Sequence, residues 1–269
     1  MIRDITIGQY YATDSVIHRL DPRVKVVGTL AYLISLFCFN KFSGYIIAAL
    51  FFAILVKISH VPFKFMVKGL KPIMFMLIFT AALNLFWTPG EVVLVKVWVF
   101  TITLEGVKRS VFMALRLTFL IIGSSLMTLT TTPNQLTDAL EKLLKPLNKI
   151  KVPVHEIAMM MSIALRFIPI LVDETDKIMK AQMARGADFE SGNVIQRIKA
   201  MLPILIPLFI SAARRANDLA LAMDARCYHG GEGRTKMKPL KYKKQDVIAY
   251  LTVAAYAVVL GVVAKFSVF

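Results

Sequence analysis

This 269-residue chain is poor in the residues that build soluble sites: it has two cysteines, four histidines and only 19% charged residues. Cys38 and Cys227 are too few for a disulfide scaffold or a thiolate metal cage. His18, His60, His155 and His229 are scattered, which argues against a histidine metal centre. His155-Glu156 begins a zinc-protease pattern, but the fourth residue after His155 is Met159, so that chemistry is rejected. Residues 230–235 (Gly-Gly-Glu-Gly-Arg-Thr) are glycine-rich yet lack the lysine and spacing of a phosphate-binding loop. Any nucleotide energy must therefore come from other chains. What the chain does have is apolar surface. Hydrophobic residues make up 57% of it, and the mean hydropathy is +0.63. That excludes a disordered chain and makes an integral membrane protein the expected class. The net charge of +16 then reads as basic cytoplasmic loops rather than a nucleic-acid footprint.

A cleavable signal peptide is not expected, because the first 25 residues carry Asp4, Asp14 and Asp21 and lack an apolar core. Five spans are expected: 24–39, 42–56, 72–90, 107–129 and 247–264. Lys41 and Lys57 bound the short second run and can snorkel. Basic residues cluster on one side of this arrangement. They are Arg19, Arg23 and Lys25; Lys57, Lys64, Lys68 and Lys71; Lys142, Lys145, Lys149 and Lys151; and Arg234, Lys236, Lys238, Lys241, Lys243 and Lys244. The other side holds Lys41, Glu91, Lys96, Glu105 and Lys265. The positive-inside rule then places the N-terminus in the cytoplasm and the C-terminus outside. Between spans three and four, residues 92–104 are β-branched and aromatic, which predicts a short external hairpin with Trp98 as an interfacial anchor.

The pattern changes after residue 132. An amphipathic stretch runs from Pro133 to Leu144 and is stopped by Pro146. Two long segments follow, 154–186 and 194–226. Each is apolar in its first half and amphipathic in its second, and each carries proline in the apolar half (Pro169; Pro203 and Pro207), so kinks are expected. Their apolar cores are short, and the first contains Arg166. An intracellular helical region is therefore expected; two further spans, making seven, are the alternative. The chain divides accordingly into transmembrane helices over 1–132, a cytoplasmic coupling region over 133–233, and a basic linker with a last span over 234–269.

The two long segments end alike. Met183-Ala184-Arg185-Gly186 matches Asp224-Ala225-Arg226-Cys227 at an offset of 41 residues. Helical steps of three and four put Leu171, Thr175, Ile178, Gln182 and Arg185 on one face, and Ala212, Ala216, Leu219, Met223 and Arg226 on the matching face. One arginine in a last helical turn is adequately explained by the helix dipole, and Gly186 by an ordinary helix stop. Two, at equal offsets and flanked by small residues, are what a docking tip needs: small neighbours admit a partner's backbone, and a guanidinium pairs bidentately with carboxylates.

These residues carry a resemblance. Ser162-Ile163-Ala164-Leu165-Arg166-Phe167-Ile168-Pro169 followed by Ala184-Arg185-Gly186, and the run Ala220 to Arg226, resemble the transmembrane T component (EcfT) of energy-coupling factor (ECF) transporters. So do Leu20-Asp21-Pro22-Arg23, Glu105-Gly106 and Leu129-Thr130-Thr131-Thr132-Pro133. The likeness covers nearly the whole chain. Cys227 departs from it, since glycine or serine is common there. The resemblance implies a non-enzymatic scaffold in a bacterial or archaeal plasma membrane. It would join two cytoplasmic ABC-type ATPase subunits to a membrane-embedded S component that carries a vitamin or metal ion. It would bind no cofactor of its own, the ATP being used by the partners. It also implies that Arg185 and Arg226 seat in the two ATPases, with Ala184, Gly186, Ala225 and Cys227 giving clearance, and that the two long helices cross.

Met159, Met160, Met161, Met179 and Met183 form an adaptable apolar stripe. Core packing is their default role; contact with S components is the functional reading. Arg116 lies inside span four, where an arginine flags function by default. Snorkelling or pairing with a helix carbonyl is the structural alternative, and a T component would not use it to bind substrate. A stand-alone permease or channel would need a polar path, but the spans offer little beyond Arg116 and Asn84. An intramembrane enzyme would need clustered His, Asp, Glu or Cys at membrane depth, which the sequence lacks.

Overall fold

The computed structural model describes residues 10–39, 42–89, 93–97, 100–187, 189, 194–231, 237 and 239–266. Lys41, Gly90, Glu91, Val92, Trp98, residues 232–236 and Lys238, all used above, lie outside the described residues. The protein is an all-α integral membrane protein with one small hairpin. In chain order the helices are α1 (Val16–Arg19), α2 (Pro22–Ser35), α3 (Phe42–Ser59), α4 (Phe63–Lys68) and α5 (Met74–Trp87). Strands β1 (Val93–Val97) and β2 (Phe100–Thr103) follow, then α6 (Leu104–Thr130), α7 (Pro133–Leu144), α8 (Val154–Ala184), α9 (Val194–Ala225) and α10 (Lys244–Phe266). The described residues form two compact units, one from residues 10–139 with 240–266 and one from residues 140–231 with 237 and 239.

Among the described residues, five helical segments are long and apolar enough to cross a bilayer: Phe42–Ser59, Phe63–Trp87, Leu104–Thr130, Val154–Ala184 and Lys244–Val263. Four of them match expected spans. The fifth differs. The expected first span is α2, which has 14 residues and so rises only about 21 Å, short of a hydrocarbon core of about 30 Å. Its apolar sequence continues to Phe39, but the backbone turns after Ser35. α8 takes the fifth place because its first half is apolar over a full window despite Arg166.

In the first unit, α2, α3, α6 and α10 share a core that includes Tyr32, Leu36, Tyr45, Phe52, Leu126 and Tyr256. Local sequence chemistry fixes how its helices begin. Asp21 is the N-cap of α2 and accepts the Arg23 N–H, Pro22 fills the first helical position, and the Arg23 guanidinium returns to Asp21 at 2.7 Å. Burial would raise the Asp21 carboxyl, but these bonds outweigh it and hold it below the ordinary aspartate value. Asp246, buried in the first turn of α10, accepts the Lys243 N–H at 2.7 Å and the Asp21 N–H at 2.8 Å, so one carboxylate caps α10 and ties it to the start of α2. Arg23 also lies over the Tyr242 ring at 3.8 Å. Lys25 donates to the Thr130 carbonyl at 2.8 Å and completes the C-terminal end of α6. Thr132 and Gln135 exchange hydrogen bonds at the start of α7, with Pro133 between them, as a capping box requires.

The hairpin expected over residues 92–104 is present: β1 and β2 pair antiparallel, with Lys96 opposite Thr101 and an irregularity between Val93 and Val95. Thr103 then caps α6 by accepting the Gly106 N–H at 3.0 Å. Arg116 on α6 donates to the Phe39 carbonyl at 3.2 Å and to the Tyr45 hydroxyl at 3.1 Å. It therefore serves the chain just beyond α2 and the start of α3; the carbonyl it meets lies between helices, whereas a helix carbonyl was the expected alternative.

Candidate functional site

The second unit is built on α8 and α9. Both helices run unbroken through Pro169, Pro203 and Pro207. The prolines nevertheless leave a mark. Pro207 has no N–H, so the Pro203 carbonyl four residues earlier lacks its helical donor. Gln182 of α8 supplies one, its Nε2 lying 3.5 Å from that oxygen. Farther along, Ser211 and Arg215 of α9 both bond to Glu174 of α8, Arg215 Nη2 at 2.8 Å from Glu174 Oε2. Rising numbers on α8 thus meet falling numbers on α9, and the helices run antiparallel. Of the two stripes expected from the 41-residue offset, α9 contributes four members to this junction and α8 contributes Leu171. Leu171, Ala212, Ala216, Leu219 and Met223 line a groove of about 270 Å³ between the helices.

The two tips have one backbone design. At the end of α8, the Gly186 N–H bonds to the Met183 carbonyl at 2.9 Å and the Ala187 N–H to the Gln182 carbonyl at 3.0 Å. At the end of α9, the Cys227 N–H bonds to the Asp224 carbonyl at 2.9 Å and the Tyr228 N–H to the Met223 carbonyl at 3.1 Å. Each pair is a Schellman closure, and the arginine is the cap residue in both. The following residue is left-handed in both, with φ of 86° at Gly186 and 56° at Cys227. Glycine adopts that conformation freely, whereas cysteine pays for its Cβ. Cys227 is thus a small residue held where glycine fits best, which sequence spacing alone did not reveal.

Ala184, Arg185, Gly186, Ala225, Arg226 and Cys227 are all exposed. A Cβ on Gly186 would meet nothing within 4 Å. Neither arginine has a side-chain hydrogen bond or ion pair among the described residues. Because α8 and α9 are antiparallel and both tips are C-terminal, the arginines stand at opposite ends of the helix pair. Arg185 lies eleven residues beyond Glu174, and Arg226 eleven beyond Arg215. Each arm is therefore about 16 Å long. The structure brings each arginine together with its small neighbours, and it separates the two triplets from each other.

The methionine stripe is not core. Met160 (57%), Met161 (43%) and Met183 (49%) are exposed, and Met159 and Met179 are half-buried. On α9, Leu205, Ile206, Phe209 and Leu221 are exposed as well. Sequence reasoning passed over Glu174 and Arg215. Their separation equals the tip offset, and an acid and a base at that spacing on two matched helices were the available signal.

Residues 13–237 match the family model CbiQ, described as cobalt transport protein. Curated relatives agree along nearly the whole chain. The energy-coupling factor transporter transmembrane protein EcfT of Clostridium kluyveri is 59% identical over 252 residues, 93% of each chain. The EcfT protein of Ruminiclostridium cellulolyticum is 57% identical, over 92% of each. That of Bacillus subtilis is 45% identical over 97% of this chain and 98% of its own. The chain belongs to the EcfT family. This EcfT-family member is accordingly a transmembrane component of an energy-coupling factor transporter, and its paired arginine tips are features of a multi-pass membrane protein.

Proposed function

We propose that this chain is the non-catalytic coupling subunit of an ECF-type ABC importer, linking two cytoplasmic ATPase subunits to a membrane-embedded S component. One observation carries the reading: two exposed arginines occupy the same cap position at opposite ends of an antiparallel helix pair. Opposite placement suits two separate sockets. Each guanidinium enters a groove on one ATPase and pairs there with carboxylate or carbonyl oxygens. Ala184 and Gly186, or Ala225 and Cys227, let the groove's backbone close around it.

ATP binding draws the two ATPases together, and the tips follow. Arms of equal length transmit this motion evenly to the junction at Glu174 and Arg215, which serves as the pivot. The exposed methionines and the apolar surface of α9 bear on the S component, whose rotation delivers a vitamin or another micronutrient. ATP is consumed by the partners, and this chain binds no cofactor. In the bacterial plasma membrane the N-terminus, with Arg19, Arg23 and Lys25, and the basic stretch before α10 face the cytoplasm, and the C-terminus lies outside. The charged second halves of α8 and α9 lie with the ATPases.

Gentle detergent extraction of the tagged chain, followed by mass spectrometry of what co-purifies, tests the assignment. Two ATPase chains and at least one small membrane protein are expected. Recovery of the chain alone would reject it.

A further inference from the structure

The α9 tip is held from behind. Gly231 lies five residues past Arg226, and a Cβ placed on it would sit 2.3 Å from Cδ2 and 2.8 Å from Cγ of His155. The chain leaving α9 therefore lies against the imidazole with no room for a side chain. The demand is spatial, because Gly231 is not among the left-handed glycines. His155, in the first turn of α8, is itself fixed: its Nδ1 is 3.0 Å from Glu141 Oε1 on α7, and the two side chains are 30% and 15% exposed. Its Nε2 is buried without a hydrogen-bond partner among the described residues, so packing rather than polarity holds that edge of the ring. Between Arg226 and Gly231, the Tyr228 N–H closes onto Met223, and Gly230 turns with φ of 97°. The segment is thus pinned at one end by the helix cap and at the other by the imidazole.

We propose that His155 and Gly231, backed by Glu141, form a clamp that positions the Arg226 tip for its ATPase. The inference rests on the docking reading of Arg226 given above and adds positioning residues to it. The clamp fixes the exit path of the chain, and the exit path fixes the direction in which the α9 cap presents its arginine.

The test uses the full transporter complex with a photo-crosslinking residue, p-benzoylphenylalanine, at one of two exposed positions. Leu221 reports the α9 arm and Lys180 the α8 arm. In a Gly231→Val background, crosslinking from position 221 to the ATPase is expected to fall at least fivefold, while crosslinking from position 180 changes less than twofold. Adding His155→Ala, which vacates the space that valine needs, is expected to restore at least half of the lost yield. An unchanged yield from position 221, an equal fall at both positions, or no rescue by His155→Ala would each overturn the clamp. If position 221 gives no ATPase crosslink in the unsubstituted background, the docking reading itself fails, and the clamp with it.

Discussion

Glu174 of α8 and Arg215 of α9 pair at 2.8 Å, and their offset of 41 positions equals that of Arg185 and Arg226. Equivalent positions on two matched helices therefore touch each other, as expected where an approximate two-fold axis relates the helices. That relationship makes the arms equal and puts a polar contact at their junction.

Reversing one charge at this junction, as Glu174→Arg or Arg215→Glu, places like charges together. ATP hydrolysis by the assembled complex should persist, while uptake through the S component falls several-fold. The exchange of both residues restores the pair and should recover uptake. Parallel assays in proteoliposomes check both rates, and failure of the exchange to recover uptake would separate the pair from coupling.

The left-handed residues after the two arginines invite opposite substitutions. Gly186→Ala introduces a Cβ at φ of 86° and should destabilise the end of α8 by about 1 kcal/mol, although nothing lies within 4 Å to clash. Cys227→Gly removes such a cost and should stabilise the end of α9 by a similar amount. Hydrogen exchange of the amides around each cap reads this directly, since about 1 kcal/mol changes local opening roughly fivefold. Exchange that shifts the same way in both variants would show that the caps are not set by φ.

Arg116→Met removes the donors to the Phe39 carbonyl and the Tyr45 hydroxyl. A loss of about 1–3 kcal/mol is expected from the abandoned acceptors. Thermal stability in detergent should drop, while uptake per surviving complex stays at the starting level. A loss of uptake without a loss of stability would instead make Arg116 part of a transport route.

Much of this architecture is legible in the sequence because it depends on local chemistry. Asp21-Pro22-Arg23 and Thr132-Pro133-Asn134-Gln135 spell their own helix starts, and the paired small-Arg-small runs mark two helix ends. Period and proline placement outline α8 and α9. Other features depend on contacts between distant positions, and no local pattern encodes them. The apolar run after Ser35 continues in composition while the backbone turns, so α2 is shorter than its hydropathy suggests. The Glu174–Arg215 contact needs the helices to be antiparallel, which two similar sequences do not announce. His155 reads as a failed metal motif until Gly231 is seen against its ring. Cys227 passes as a small residue until its positive φ is known.

Charge reversal at both tips bears most directly on the claim that these arginines seat in two motor chains. Arg185→Glu with Arg226→Glu puts carboxylates among acceptor groups, and each tip is expected to behave as an interface hot spot worth about 2–4 kcal/mol. Affinity capture of the membrane complex should then recover the S component but not the ATPases, with each single reversal giving an intermediate yield. Full recovery of both ATPases by the double variant would contradict the account.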